Sequence, residues 1–195
     1  MMLKFSCNID VINPLDGFAA IHIAAAVGST RLVNWLITHN CKLDIKSKER
    51  ITAMMYAVKY GHVYTVAEII KKAGPRFLEE PDEEGRTPLH YAAMFGQTRV
   101  AKFLIKIGAD KKKFDMYHMQ PGQLAQEQGY EVTAQLILSF ARMHPKTEDQ
   151  LQYIIDENNR QKDKPIHMTI NDAFSSLSNM FNAGLSMFNS VISRK

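Results

Sequence analysis

The sequence predicts an all-α solenoid of four helical-hairpin repeats that is followed by a C-terminal helical extension. One observation is a segment that recurs four times and closes each time on a glycine, at Gly28, Gly61, Gly96 and Gly129. Another is the spacing of these glycines, which is 33, 35 and 33 residues. Small and apolar side chains also recur along one helical face of the segments. A single hairpin cannot bury such a face alone, so neighbouring repeats are expected to stack around a common core.

The third segment shows most clearly how one repeat is built. Thr87 can cap the first helix, and Pro88 suits its first turn because the missing N–H has no helical partner there. Leu89 and the alanines after it form a packing face, and Gly96 favours the left-handed backbone that ends the helix. The second helix then supplies apolar side chains at Val100, Ala101, Phe103, Leu104 and Ile105.

Thr87-Pro-Leu-His-Tyr-Ala-Ala, followed by Gly96 and by Gly108-Ala-Asp, resembles the ankyrin repeat in both period and signature. The resemblance extends over residues 13–142 and implies an ankyrin-repeat solenoid. It also implies a structural role for His22 and His90, whose imidazoles would bond to the backbone of neighbouring loops. A catalytic or ligand role is the alternative for these two residues.

The second and fourth segments depart from the family pattern. Segment two carries Arg50 and Met55 where the family has Gly and His. Segment four carries Gly122 and Gln123 at the Leu and His positions. Because terminal repeats are often atypical, segment four is predicted to be a degenerate capping repeat.

No catalytic or metal-binding motif is recognisable in the chain. It contains no phosphate-binding Gly-rich loop, HExxH, CxxC or GxSxG pattern, so no enzyme activity, cofactor, metal or small-molecule substrate is predicted. The acidic residues between Glu79 and Glu84 lack the alternating ligands of a calcium loop and are interpreted as a solvated loop tip. A net charge of +4 is too small to indicate a nucleic-acid partner.

Composition also bears on where the chain is expected to act. Only two cysteines occur, Cys7 and Cys41, which favours a reducing compartment. The sequence has neither an apolar run of spanning length nor a secretory leader pattern. The expected location is the cytoplasm, with the nucleus as the alternative.

The resemblance implies a concave binding face formed by the loop tips and the exposed side of each first helix. By position, the partner-binding residues would be Val27, Tyr56, Lys59, Tyr60, Tyr91, Met94 and Phe95. Exposed aromatic and Met side chains are enriched at protein interfaces, so a protein partner is predicted. For Tyr56 and Tyr91, burial as contacts within the stack is an equally weighted alternative.

The predicted loop tips carry charges of alternating sign. The tip before repeat two has Lys46, Lys48 and Arg50, the next tip is acidic, and the tip before repeat four has Lys111–Lys113. This alternation suggests electrostatic steering of a partner of mixed charge. The alternative is that these are ordinary charged loops in water.

Four regions are predicted along the chain. They are an N-terminal segment at 1–12, the ankyrin-repeat domain at 13–142, a capping helix with a linker at 143–164, and an amphipathic tail at 165–195. The capping helix is expected to open at Thr147 and to continue to about Asn158, because Thr147-Glu-Asp-Gln fits a capping box. Leu151, Ile154 and Ile155 give it an apolar edge that can close the end of the stack.

The tail has a seven-residue quasi-repeat of apolar side chains opposite Ser and Asn. The predicted docking residues are Phe174, Leu177, Phe181, Leu185, Phe188 and Ile192. Three hypotheses for the tail stay open: it docks on a partner protein, on a membrane surface through residues 173–192, or on the chain's own stack. A disordered tail is the fourth. The predicted function is a non-enzymatic protein-interaction adaptor or scaffold, with a peripheral membrane tether as the alternative.

Overall fold

The computed structural model of the chain describes residues 9–139 and 154–155. Within these residues eight α-helices form four hairpins, which confirms the predicted all-α repeat solenoid. The helices are α1 (Ala20–Val27), α2 (Thr30–Thr38), α3 (Ala53–Lys59), α4 (Val63–Ala73), α5 (Pro88–Met94), α6 (Thr98–Lys106), α7 (Pro121–Glu127) and α8 (Glu131–Ser139), with a 3₁₀ helix at Pro75–Leu78. A single bridge between Lys46 and Thr52 is the only extended pairing of the described residues.

The hairpins stack in chain order. Each first helix packs on the next first helix, from α1 through α3 and α5 to α7, and the second helices α2, α4, α6 and α8 do the same. One alanine position recurs between the first helices and is buried in all four repeats, at Ala24, Ala57, Ala92 and Ala125. A methyl group there lets neighbouring helices approach closely, which explains why small residues recur in the sequence pattern.

Buried histidines bond to the backbone at the starts of two first helices, α1 and α5. The backbone N–H of Thr87 donates to His90 Nδ1 at 3.1 Å, so the ring proton is assigned to Nε2, which donates to the Met119 carbonyl at 3.2 Å. His22 Nδ1 accepts the backbone N–H of Ala19 at 3.0 Å in the same way. The bond to a neighbouring loop that the family resemblance implied is therefore confirmed for His90. His22 caps the start of its own helix, and its buried Nε2 has no hydrogen-bond partner among the described residues.

Segment four forms its hairpin without the family's histidine. Gln123 takes the histidine's place, and its Oε1 accepts the backbone N–H of Gln120 at 3.0 Å. The first turn of α7 is thus capped like that of α5. Gly122 stands where a larger apolar residue would be expected, and a Cβ there would lie 2.8 Å from Leu138 Cδ2.

The loop before α1 requires a glycine at position 17. Gly17 has φ +78°, and a Cβ there would lie 2.8 Å from the backbone nitrogen of Lys48. That N–H donates to the Asp16 carbonyl at 3.0 Å and so joins the first two loops. Gly61 also has φ +78°, but there the nearest atom to an added Cβ belongs to the Gln97 side chain, which can move.

This pair gives a matched prediction. Gly61→Ala should lower the free energy of unfolding by about 1–2 kcal/mol, the cost of a left-handed alanine. Gly17→Ala should lower the free energy of unfolding by at least about 1 kcal/mol more than Gly61→Ala, because the backbone at Lys48 must shift to admit the methyl group. Urea unfolding of both variants measures the difference. Equal losses would show that the contact between the two loops tolerates a methyl group.

Only part of the predicted C-terminal architecture falls within the described residues. Ile154 and Ile155 are helical, and Ile155 is buried in the same hydrophobic cluster as the core of the stack. This agrees with an apolar edge on the predicted capping helix. The rest of that helix and all six docking residues predicted between Phe174 and Ile192 lie outside the described residues. The domain boundaries after residues 12, 142 and 164 stay predictions.

Candidate protein-binding surface

The ends of the first helices align side by side because these helices stack in register. The last two positions before each closing glycine form two rows across the repeats. One row is Ala26, Lys59, Met94 and Glu127, and the other is Val27, Tyr60, Phe95 and Gln128. We call Val27, Lys59, Tyr60, Met94 and Phe95 the helix-end surface. Tyr60 is 45% exposed, and the other four are partly exposed.

Lys59 connects two repeats on this surface. Its Nζ lies 5.7 Å from the ring centroid of Tyr60 in repeat two and 5.0 Å from that of Phe95 in repeat three. Phe95 in turn stacks on Tyr91 with 6.2 Å between ring centroids. An ammonium group is attracted by aromatic ring faces at such distances, so the three side chains support one another.

Tyr56 and Tyr91 do not belong to the accessible surface, contrary to the expectation that placed them in an exposed stripe. They are only 8% and 3% exposed. The Tyr91 hydroxyl donates to Asp82 Oδ2 at 2.8 Å, and Phe18 of the first loop packs edge-on against Tyr56 at 5.0 Å. Burial raises the pKa of Tyr56 to about 12. Both residues are contacts within the stack, which was the alternative, because each is covered by a loop.

The charged loop tips pair with one another. Lys46 forms an ion pair with Glu80, and Lys113 Nζ lies 3.5 Å from Glu79 Oε2. Glu79 Oε1 also accepts the backbone N–H of Asp110 at 2.7 Å. The acidic tip therefore lies between basic groups of the loops on either side. This pairing uses part of the charge that would otherwise steer a partner, and electrostatic steering stays a prediction.

An apolar group at the tip before repeat four was not predicted from the sequence. Phe114, Met116 and Tyr117 are 53%, 59% and 64% exposed. Between them the buried Asp115 accepts the backbone N–H groups of Tyr117 and Met119, both at 2.9 Å, and this fixes the turn. A signal was present, because three large apolar residues fall in a stretch that the repeat pattern assigns to a loop.

Residues 9–139 and 154–155 contain no group of three or more His, Cys, Asp or Glu side chains arranged to hold a metal ion. None of the helices formed by these residues is both long enough and apolar enough to cross a membrane.

The comparisons with known proteins point to one family. The family model described as Ankyrin repeats (3 copies) matches residues 2–80 and 21–115. This match ends before segment four, whose hairpin is nevertheless present in the structure.

Individual relatives match over part of this chain. A putative ankyrin repeat protein of fowlpox virus, FPV222, is 29% identical over 118 residues, which are 60% of this chain and 16% of the relative. The human transient receptor potential cation channel subfamily A member 1 is 35% identical over 95 residues, 48% of this chain and 8% of the channel. The inhibitor of Bruton tyrosine kinase from Xenopus laevis is 32% identical over 88 residues, 44% of this chain and 6% of the relative.

The chain thus spans less than a fifth of the length of each of these three relatives. Some other relatives are named as enzymes, such as the yeast palmitoyltransferase AKR1, of which the matched region covers 13%. Ankyrin repeats generally mediate protein–protein interactions. With the family match over more than half of its length and four stacked hairpins in its structure, the chain belongs to the ankyrin-repeat family.

Proposed function

We propose that the chain is a non-enzymatic interaction adaptor that binds a protein partner through the helix-end surface. The observation that carries this proposal is the exposed side of Tyr60 beside the partly exposed Phe95, Met94 and Lys59. Aromatic and Met side chains at the centre of an interface commonly supply most of the binding energy. A cation between two rings adds a polar anchor to the same surface.

The exposed loop tip before repeat four supports a wider contact area. Phe114, Met116 and Tyr117 expose more than half of their surface, and backbone bonds to Asp115 hold their turn in place. Such pre-organisation lowers the entropy cost of binding. A partner that reaches from the helix-end surface to this tip would bury both apolar groups.

Replacement of both Tyr60 and Phe95 by alanine tests the site. If each residue supplies about 2 kcal/mol, as interface anchors do, even one substitution should weaken partner binding by about 30-fold. The measurement is quantitative capture of cellular partners by the full-length chain, with thermal unfolding of the variant as a check on folding. Trp35→Ala is the control, because Trp35 is a similarly exposed aromatic residue on α2, outside the helix-end surface. Unchanged capture by the double variant would remove this surface from the proposal.

A peripheral membrane tether is the second candidate, and it rests on the sequence of the tail. Phe174, Phe181 and Phe188 recur every seven residues, and no charged residue occurs between Asp172 and Arg194. An apolar face opposite uncharged Ser and Asn is typical of helices that detect lipid-packing defects. Liposome flotation of the full-length chain and of a variant lacking residues 165–195 tests it. Absence of the full-length chain from the floating fraction would reject the tether.

The location in the cell is part of the same proposal. We propose the cytoplasm, with the nucleus as the alternative, on the basis of the low cysteine content. Fluorescence microscopy of the tagged full-length chain distinguishes the two compartments.

A further inference from the structure

Resting on the proposed function, we infer that the partner segment is extended and carries an acidic, an apolar and a basic residue in that spatial order. The acidic residue pairs with Lys59, the apolar residue packs on Met94 and Phe95, and the basic residue pairs with Glu127. These positions belong to repeats two, three and four, and Lys59, Met94 and Glu127 occupy the same place at the end of each first helix. From repeat two to repeat four, the row therefore presents a positive, an apolar and a negative side chain.

Lys59 is suited to bind a carboxylate from outside the chain. Among residues 9–139 the cations Lys46, Arg86 and Lys113 pair with carboxylates of the loops, whereas Lys59 makes no such pair. Its Nζ lies between two aromatic rings, which accept no strong hydrogen bond from it. Coulomb attraction between the ammonium group and an incoming carboxylate strengthens as the bound partner displaces water from the surface.

The apolar and acidic positions complete the row. Met94 is partly exposed at the end of α5, beside the ring of Phe95. Glu127 is exposed at the end of α7 and has no ion pair with any cation of residues 9–139. Opposed charges at two ends of a binding row fix the direction in which a partner binds, because the reversed partner brings like charges together.

The stacking also sets the spacing of the partner's residues. Packed helices lie about 8–10 Å apart, so equivalent positions in repeats two and four are separated by roughly 20 Å. An extended segment rises about 3.3 Å per residue. The acidic and basic residues of the partner should therefore be about six residues apart, with the apolar residue near the middle.

Selection from a random twelve-residue peptide library displayed on phage tests the charge order. The full-length chain and its Lys59→Glu/Glu127→Lys double variant serve as separate baits. We expect the wild-type chain to enrich peptides with an acidic and a basic residue about six apart around an apolar residue. The double variant should enrich the same spacing with the acidic and basic residues exchanged along the peptide. For one synthetic peptide from the wild-type selection, Lys59→Glu should weaken binding more than tenfold in fluorescence polarisation. Replacement of the peptide's acidic residue by Lys should restore it.

The controls separate this inference from the proposed function. Lys102→Glu changes an exposed lysine on α6 and should leave peptide affinity unchanged. If Tyr60→Ala abolishes peptide binding while Lys59→Glu or Glu127→Lys does not affect it, the charge order is wrong and the proposed site stands. If Tyr60→Ala and Phe95→Ala also have no effect, the proposed site itself fails. A selection that enriches no charge pattern contradicts the inference as well.

Discussion

Replacing Asp82 with alanine is expected to lower the free energy of unfolding by about 3 kcal/mol. Asp82 is only 4% exposed, and both carboxylate oxygens are fully used. Oδ1 accepts the backbone N–H groups of Glu84 and Arg86 at 2.9 and 2.8 Å. Oδ2 accepts Arg86 Nε and the Tyr91 hydroxyl, both at 2.8 Å. The alanine variant loses all four bonds, which leaves the buried Tyr91 hydroxyl without its acceptor and the Arg86 guanidinium with only its ion pair to Glu84.

Asp115→Ala is the matched control, because Asp115 occupies the same place in the next loop and is also buried. Its carboxylate bonds to the backbone N–H groups of Tyr117 and Met119, without the tyrosine and arginine partners that Asp82 has. We expect a loss of about 1–2 kcal/mol for this variant. Chemical denaturation of both variants gives the comparison. A loss for Asp82→Ala no greater than that for Asp115→Ala would show that the Tyr91 and Arg86 bonds add nothing.

Stability is expected to fall when the pH is lowered from 7 to 5. Burial lowers the pKa of His22, His62 and His90 below the ordinary histidine value of 6.5. Between the lowered pKa and 6.5, the unfolded chain binds protons that the folded chain does not. The stabilising contribution of these neutral rings is therefore complete above pH 6.5 and is lost progressively below it. Each histidine contributes at most about 1.4 kcal/mol per pH unit while it titrates, and the contributions of the three add.

The His90→Gln variant tests this origin of the acid sensitivity. The chain already uses glutamine at the equivalent position of repeat four, where Gln123 caps the helix. At pH 8 the free energy of unfolding of the variant should therefore be close to that of the wild type. Between pH 6.5 and 5 it should fall less steeply than that of the wild type. Urea unfolding at a series of pH values measures both quantities. A wild-type free energy of unfolding that is constant between pH 7 and 5 would contradict the prediction.

The repeat architecture could be predicted because its determinants are local. Thr87 and Pro88 open α5 where the sequence placed its start, and the recurring alanines are buried where close packing requires them. Repeats two and four form in spite of their weak signatures because other side chains cap them. In repeat two Thr52 Oγ1 accepts the backbone N–H of Met55 at 3.3 Å. In repeat four Gln123 Oε1 accepts the backbone N–H of Gln120 at 3.0 Å.

The surface was harder to predict because it depends on contacts between neighbouring loops. The pattern within one repeat gives the position of Tyr56 and Tyr91 on a helix, but it does not give the loop that covers them. The cover comes from Phe18 for one and Asp82 for the other. The ion pair between Lys46 and Glu80 likewise joins residues that only lateral stacking brings together.

The alternation of charge along the loop tips also constrains how the gene can change. Lys46 and Lys113 belong to loops that flank the loop of Glu79 and Glu80. Deletion of the third repeat together with its loop would place two basic loops next to each other, and duplication of that unit would place two acidic loops together. Gain or loss of a whole repeat by recombination would thus replace attraction by repulsion at the new junction. The loops thereby favour one order and number of repeats, although the helices behind them share the same buried alanine position.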